Sequence, residues 1–154
     1  MTNSEKFCKE LELWCGRAGL QGVKVELDDS FHFDCGDEIL YFGMESYQPI
    51  INDFEEFLYE YGCEYYGICA PTLCMIHEVG HGFTKNSFND TDMFLNWLNG
   101  MECEDNFSYW HLPMEFSANM WEINFINSHI DKVQDLTKII LKYFDNVSNE
   151  YFKN

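Results

Sequence analysis

The chain has 154 residues, enough for one domain with a single core, and its 46% hydrophobic and 18% aromatic content argues against disorder. Its 27 acidic residues against 9 basic give a formal net charge of -18. That balance weighs against direct electrostatic binding of nucleic acid or of anionic membranes, because phosphate affinity comes largely from Lys and Arg displacing counterions.

The opening residues Met1-Thr2-Asn3-Ser4-Glu5-Lys6 lead into a mixed charged and apolar helix, without the pattern of a signal peptide. No apolar stretch approaches membrane-spanning length. Seven cysteines, irregularly spaced and without a C-x-x-C pair, fit reduced thiols better than a disulfide framework. A cytoplasmic protein is expected.

Ser4 is the expected cap of a helix through about Arg17, in which Phe7, Leu11, Trp14 and Ala18 recur at helical intervals. Val23, Val25 and Leu27 then alternate with Lys24 and Glu26, the pattern of a half-buried strand. After a turn at Asp28-Asp29-Ser30, Phe31, Phe33 and Cys35 alternate with His32 and Asp34. His32 therefore falls on the face opposite the phenylalanines, as an exposed strand residue and not a ligand. Gly36-Asp37 turns into a third strand, Glu38 to Phe42, and the three predict an antiparallel meander.

Pro49 opens a second helical segment, with Ile50, Phe54, Phe57, Leu58 and Tyr61 as a core stripe and Gly62 at its close. Cys63, Cys69 and Cys74 follow; buried packing is the expected use of all three, with Cys74 lining the wall of the site described next.

A helix from about Pro71 to Phe83 carries His77-Glu78-Val79-Gly80-His81, an H-E-x-x-H pentad. Residues four apart on a helix stand on one face, so both imidazoles can point at one metal ion with Glu78 beside them. Leu73, Ile76, Gly80 and Phe83 form the adjoining apolar face. Gly80 costs about 1 kcal/mol against Ala inside a helix, which predicts that another backbone or side chain approaches closely there. A catalytic zinc site takes three protein ligands, so a third must come from farther along the chain.

The leading candidate is Glu115, in Pro113-Met114-Glu115-Phe116-Ser117-Ala118-Asn119-Met120-Trp121-Glu122, with His111 the runner-up. Pro113 suits a helix start. Glu115, Asn119 and Glu122 share one face, and Met114, Ala118, Trp121 and Phe125 form the stripe beside it. A last helix, from about Ile130 to Val147, sets Val133, Leu136, Ile140 and Tyr143 along one side and closes the core.

The pentad followed by a Glu-x-x-Ala-Asn segment resembles the ImmA/IrrE group of small gluzincin metallopeptidases, common in bacteria and phages, whose third ligand lies in a Glu-x-Glu-Ala-Asn-x-Phe-Ala motif. The chain keeps the first Glu, the Ala and the Asn, and departs at Ser117, Trp121 and Glu122. The likeness runs from about Cys69 to Phe125, and the preceding helix and strands are similar to that family's order of elements. It implies an α+β, zincin-like single domain over residues 1–154: an N-terminal helix, the meander, the H-E-x-x-H helix and a helical C-terminal half.

By the same resemblance His77, His81 and Glu115 bind Zn2+, which lowers the pKa of water to about 7 and polarises a peptide carbonyl. Glu78 takes the water's proton and returns it to the leaving amine, and Asn119 orients a ligating imidazole. Tyr109 and His111 are candidate donors to the developing oxyanion. The edge of the third strand is the expected seat of an extended peptide or protein substrate. Members often carry a DNA-binding or sensory domain, for which this chain has no room. A reading of another class is an acidic binding or decoy protein, in which any metal is structural or vestigial.

Overall fold

The computed structural model describes residues 1–45 and 48–153, with the side chains of 48–51 outside the description. The first helix, α1 (Asn3–Arg17), is capped two residues earlier than expected. Thr2, not Ser4, caps it: the Thr2 hydroxyl accepts from the Glu5 amide while the Glu5 carboxylate accepts from the Thr2 amide, a reciprocal box that satisfies two end donors. Ser4 instead donates its hydroxyl to Glu150, whose carboxylate also accepts from the amides of Asn3 and Ser4.

Three strands follow, β1 (Lys24–Asp28), β2 (His32–Asp34) and β3 (Ile39–Gly43). The three strands and their faces are as expected, but their order is not that of a meander. The sheet runs β1-β3-β2, with β3 antiparallel to β2 and parallel to β1. Burial explains the centre: Leu40 and Phe42 are fully enclosed, whereas β1 and β2 expose Lys24, Glu26 and His32 and suit edges. Gly43 explains the crossing. The Ser30-Phe31 link passes over the end of β3, and a Cβ on residue 43 would lie 2.6 Å from the Phe31 amide nitrogen. Because β3 is flanked on both sides, it has no open edge for a peptide, contrary to expectation; the open edges are those of β1 and β2. On β1 the Val25 amide already donates to Glu12.

α2 (Gln48–Glu60) buries Phe54, Phe57 and Leu58; the expected roles of Pro49 and Ile50 lie outside the described residues. Next come α3 (Ala70–Thr84), with Pro71 in its first turn, a 3-10 turn over Lys85–Ser87, and α4 (Asp90–Glu102). A short α5 (Asn106–Trp110) leads into α6 (Pro113–Ser128) and α7 (Ile130–Phe152). α7 runs five residues past its expected end, which brings Glu150 to the start of α1, where a carboxylate complements the helix dipole.

The core lies where α3 meets the sheet, α6 and α7, with α1 packed on α7 and β1. Phe7, Leu11, Trp14, Leu40, Phe42, Ile76, Ile126 and Leu136 are among its most enclosed apolar residues. The closest crossing is α3 on α6, at Gly80. A Cβ there would stand 2.8 Å from the Ala118 carbonyl oxygen and 3.2 Å from the Ala118 Cα, the close approach that a helical glycine implies. Among the described residues no helix is long and apolar enough to cross a membrane.

Candidate metal centre

The Gly80–Ala118 crossing sets one polar face of α3 against one polar face of α6. On α3, His77, Glu78 and His81 are buried or nearly so, and their ligating atoms all lie within 4.8 Å of one another. The two rings stand perpendicular, with centroids 4.7 Å apart. On α6, Glu115, Asn119 and Glu122 are 6%, 0% and 0% exposed, so this polar stripe faces inward.

One oxygen organises the group. Glu115 Oε1 lies 3.0 Å from His77 Nε2 and 3.1 Å from His81 Nε2. Burial would raise the Glu115 carboxyl, but hydrogen bonds from both imidazoles and their charge outweigh it and hold it well below the usual carboxylate range. Glu78 Oε2 is 3.9 Å from His77 Nε2. Its pKa is pushed up to about 7, by burial above all and by the Glu115 charge, with His77 pulling the other way.

Asn119 fixes the first imidazole. Its Nδ2 donates to the Trp110 carbonyl at 3.1 Å, which turns Oδ1 toward His77 Nδ1 at 2.7 Å. The Nδ1–H of His77 is thereby committed to Asn119, and Nε2 is left to face Glu115. Two imidazole nitrogens converging on one carboxylate oxygen need positive charge in their midst, as protons or as a metal ion. The cluster can hold a metal ion, with Glu78 beside the donors.

Glu122, the third residue of that α6 face, is fully buried. Neither of its carboxylate oxygens has a hydrogen-bond partner, and Oε1 is 4.0 Å from His77 Nδ1. Burial, together with the Glu78 charge, pushes its carboxyl well above the ordinary value. Its place on the Glu115 face was legible from spacing, but its lack of a partner was not. Cys74, half-buried, feels both Glu122 and Glu78, as expected of a residue in the site's wall.

The other expected residues fall into two groups. Tyr109, on α5, feels the Glu115 carboxylate, and its phenol is raised mainly by partial burial and then by the charges of Glu115 and Glu78. His111 does not join the cluster. Its Nε2 is 2.7 Å from the Tyr61 hydroxyl, its Nδ1 donates to the Phe107 carbonyl at 2.8 Å, and its ring stacks on Phe116. The structure thus brings Glu115, and not His111, to the two imidazoles. His32 is exposed on β2 and stacked on Tyr41, with centroids 4.1 Å apart. The cysteines among the described residues are free thiols.

Comparisons with protein families, with curated proteins and with solved structures find no match to this chain.

Proposed function

We propose that the chain is a zinc-dependent metallopeptidase of gluzincin type, similar to the ImmA/IrrE group, that hydrolyses peptide bonds. The observation that carries this reading is the convergence of His77 Nε2 and His81 Nε2 on one oxygen of Glu115, at 3.0 and 3.1 Å. Donors on a tetrahedral zinc ion, at bond lengths of 2.0–2.1 Å, stand about 3.3 Å apart, so the donor set fits that ion. Zinc, when bound, supplies an acidified water and a polarised carbonyl.

The chain's own residues do the rest. His77, His81 and Glu115 hold the ion, and Asn119 fixes the tautomer and tilt of His77. Glu78 is buried with a pKa near 7, so its carboxylate can accept a proton from water and release it to the leaving amine at neutral pH. It lies beside the three donors without sharing their oxygen-to-nitrogen contacts, the position a base requires. Tyr109, whose phenol feels the charges of Glu115 and Glu78, is the candidate donor to the oxyanion. The enclosure of the site by α3 and α6 keeps bulk water from these charges, which strengthens each of them.

A Glu78→Gln variant tests the reading. Hydrolysis of a quenched fluorescent peptide is expected to be abolished, with zinc content and the far-ultraviolet circular dichroism spectrum retained. Cleavage at the wild-type rate would sink the peptidase reading and leave a binding protein with a structural metal.

A further inference from the structure

The segment between α2 and α3, residues 63–69, has neither helix nor strand, yet it is pinned to its surroundings. The Glu64 amide donates to Asn127 Oδ1 on α6 at 2.8 Å, and the Gly67 amide donates to Glu55 Oε1 on α2 at 2.7 Å. Gly67 turns the chain there with a φ of 80°, a conformation open to glycine. The Tyr66 ring rests edge-on against Tyr59, with centroids 5.4 Å apart. So held, the segment and one face of α7 bound a cavity of about 440 Å³. Its apolar lining is Ile68, Ile130 and Val133, and its volume falls within the roughly 300–1,000 Å³ of small-molecule sites.

Two features select the occupant. The first is charge. In a chain with 27 acidic residues against 9 basic, no carboxylate lines this cavity, whereas the one between α2 and α5 is lined by Asp53, Glu56, Glu60, Glu104 and Asp105. The charged side chain here is Lys138, on α7. Lys85 and Lys142 pair with Glu38 and Glu10, but Lys138 has no carboxylate partner among the described residues. The second feature is hydrogen bonding. Thr137 Oγ1 donates to the Val133 carbonyl at 3.1 Å, which uses its one proton, so Thr72 must donate to Thr137, at 2.8 Å, and the Cys69 thiol to Thr72, at 2.9 Å. That leaves the Tyr65 and Tyr66 hydroxyls, the Gln134 amide and the Lys138 ammonium in the lining, all able to donate and without a side-chain partner among the described residues. Cys69 is also the N-cap of α3 and gives its first-turn amides no side-chain acceptor, so the positive end of the helix adds to the attraction for an anion. One ammonium with neutral donors matches one negative charge, not the repeated phosphates of a nucleic acid. The net charge of -18 repels anions from the molecule as a whole, so binding of one is local.

We propose that this cavity is a binding site for an organic carboxylate, a single negative charge carried on one large apolar group. Lys138 and the neutral donors take the carboxylate, and Ile68, Ile130 and Val133 take the apolar body. Free aryl or alkyl carboxylic acids have this chemistry, and so does the C-terminal residue of a peptide. The proposal stands apart from the metallopeptidase reading, because no residue of the metal centre lines the cavity.

The test is isothermal titration calorimetry with two acids, 3-phenylpropionate and N-acetyl-L-phenylalanine, and with the primary amide of each. At least one acid is expected to bind about tenfold or more tightly than its amide, the discrimination that a charged hydrogen bond provides. Tighter binding of N-acetyl-phenylalanine identifies a peptide C terminus as the source, and equal or tighter binding of 3-phenylpropionate a free acid. Lys138→Gln, a change at an exposed position, should cut the acid-to-amide ratio to under about threefold, whereas Lys142→Gln, one turn farther along α7 and outside the cavity, should keep it. Zinc-loaded and chelator-treated protein should give the same affinities. Failure of both acids to bind, equal affinities for acid and amide, or an acid preference that survives Lys138→Gln would overturn the site. So would binding that appears only with zinc, which would put the carboxylate on the metal centre and leave that centre standing.

Discussion

Gly80→Ala isolates the contact on which the whole site depends. In an unencumbered helix the change stabilises by about 1 kcal/mol, because alanine loses less backbone freedom on folding. Here the new methyl would stand 2.8 Å from the Ala118 carbonyl oxygen, 3.2 Å from the Ala118 Cα and 3.3 Å from the Trp121 ring. The shortfall from ordinary contact is about 0.6 Å, and two of the three neighbours are helix backbone that cannot rotate away. Overpacking of this kind costs about 1–3 kcal/mol, which outweighs the propensity gain and leaves a net loss of about 1 kcal/mol. The larger effect is on the metal. Relief of the clash moves α6 off α3, and Glu115 and Asn119 ride on α6, while ligand distances tolerate only about 0.2 Å. Zinc affinity is expected to fall about 10–100-fold. Urea unfolding of chelator-treated protein gives the stability change, and competition against a chromophoric chelator gives the affinity. A variant more stable by about 1 kcal/mol with unaltered zinc affinity would show that the α3–α6 crossing does not set the site.

Asn119→Ala should weaken zinc binding about 10–100-fold by freeing the His77 ring, whereas His111→Ala should leave it unchanged; the same chelator competition reads both. Glu122→Met should raise the stability of chelator-treated protein at pH 7 by about 1–3 kcal/mol, since it removes a buried acid with no hydrogen-bond partner. The pH dependence has a fixed sign. The folded-state pKa of Glu122 lies well above its ordinary value of 4.5, so the folded protein keeps a proton that the unfolded chain gives up, and wild-type stability declines as pH rises from there. The advantage of the variant should therefore be small near pH 4 and grow toward neutrality. Urea titrations at the two pH values check this, and an equal advantage at both would contradict it.

Much of the site was readable before any coordinates. Two imidazoles four apart with a carboxylate beside the first, and a second helix with Glu115, Asn119 and Glu122 on one face, are spacings that a 3.6-residue period converts directly into geometry. Gly80 in mid-helix announced the close crossing for the same reason. Strand order was not readable, because alternation says which face a strand buries and not which neighbour it pairs with. The crossing over Gly43 is a tertiary contact without a local signature. His111 was the runner-up to Glu115 as third ligand in sequence, and its contacts with Tyr61 and Phe107 hold it out of the site. α4 had no core face to announce it: Asn89 and Asp92 form its capping box, and none of its side chains is buried.

Zinc per chain, measured by elemental mass spectrometry on protein purified without added metal or chelator, tests the central claim most directly when wild type and Glu115→Ala are compared side by side. The three-donor centre predicts one zinc in the wild type and a marked loss in the variant, with circular dichroism showing that both are folded. No zinc in the wild type after reconstitution at neutral pH, or full zinc in the variant, would contradict it.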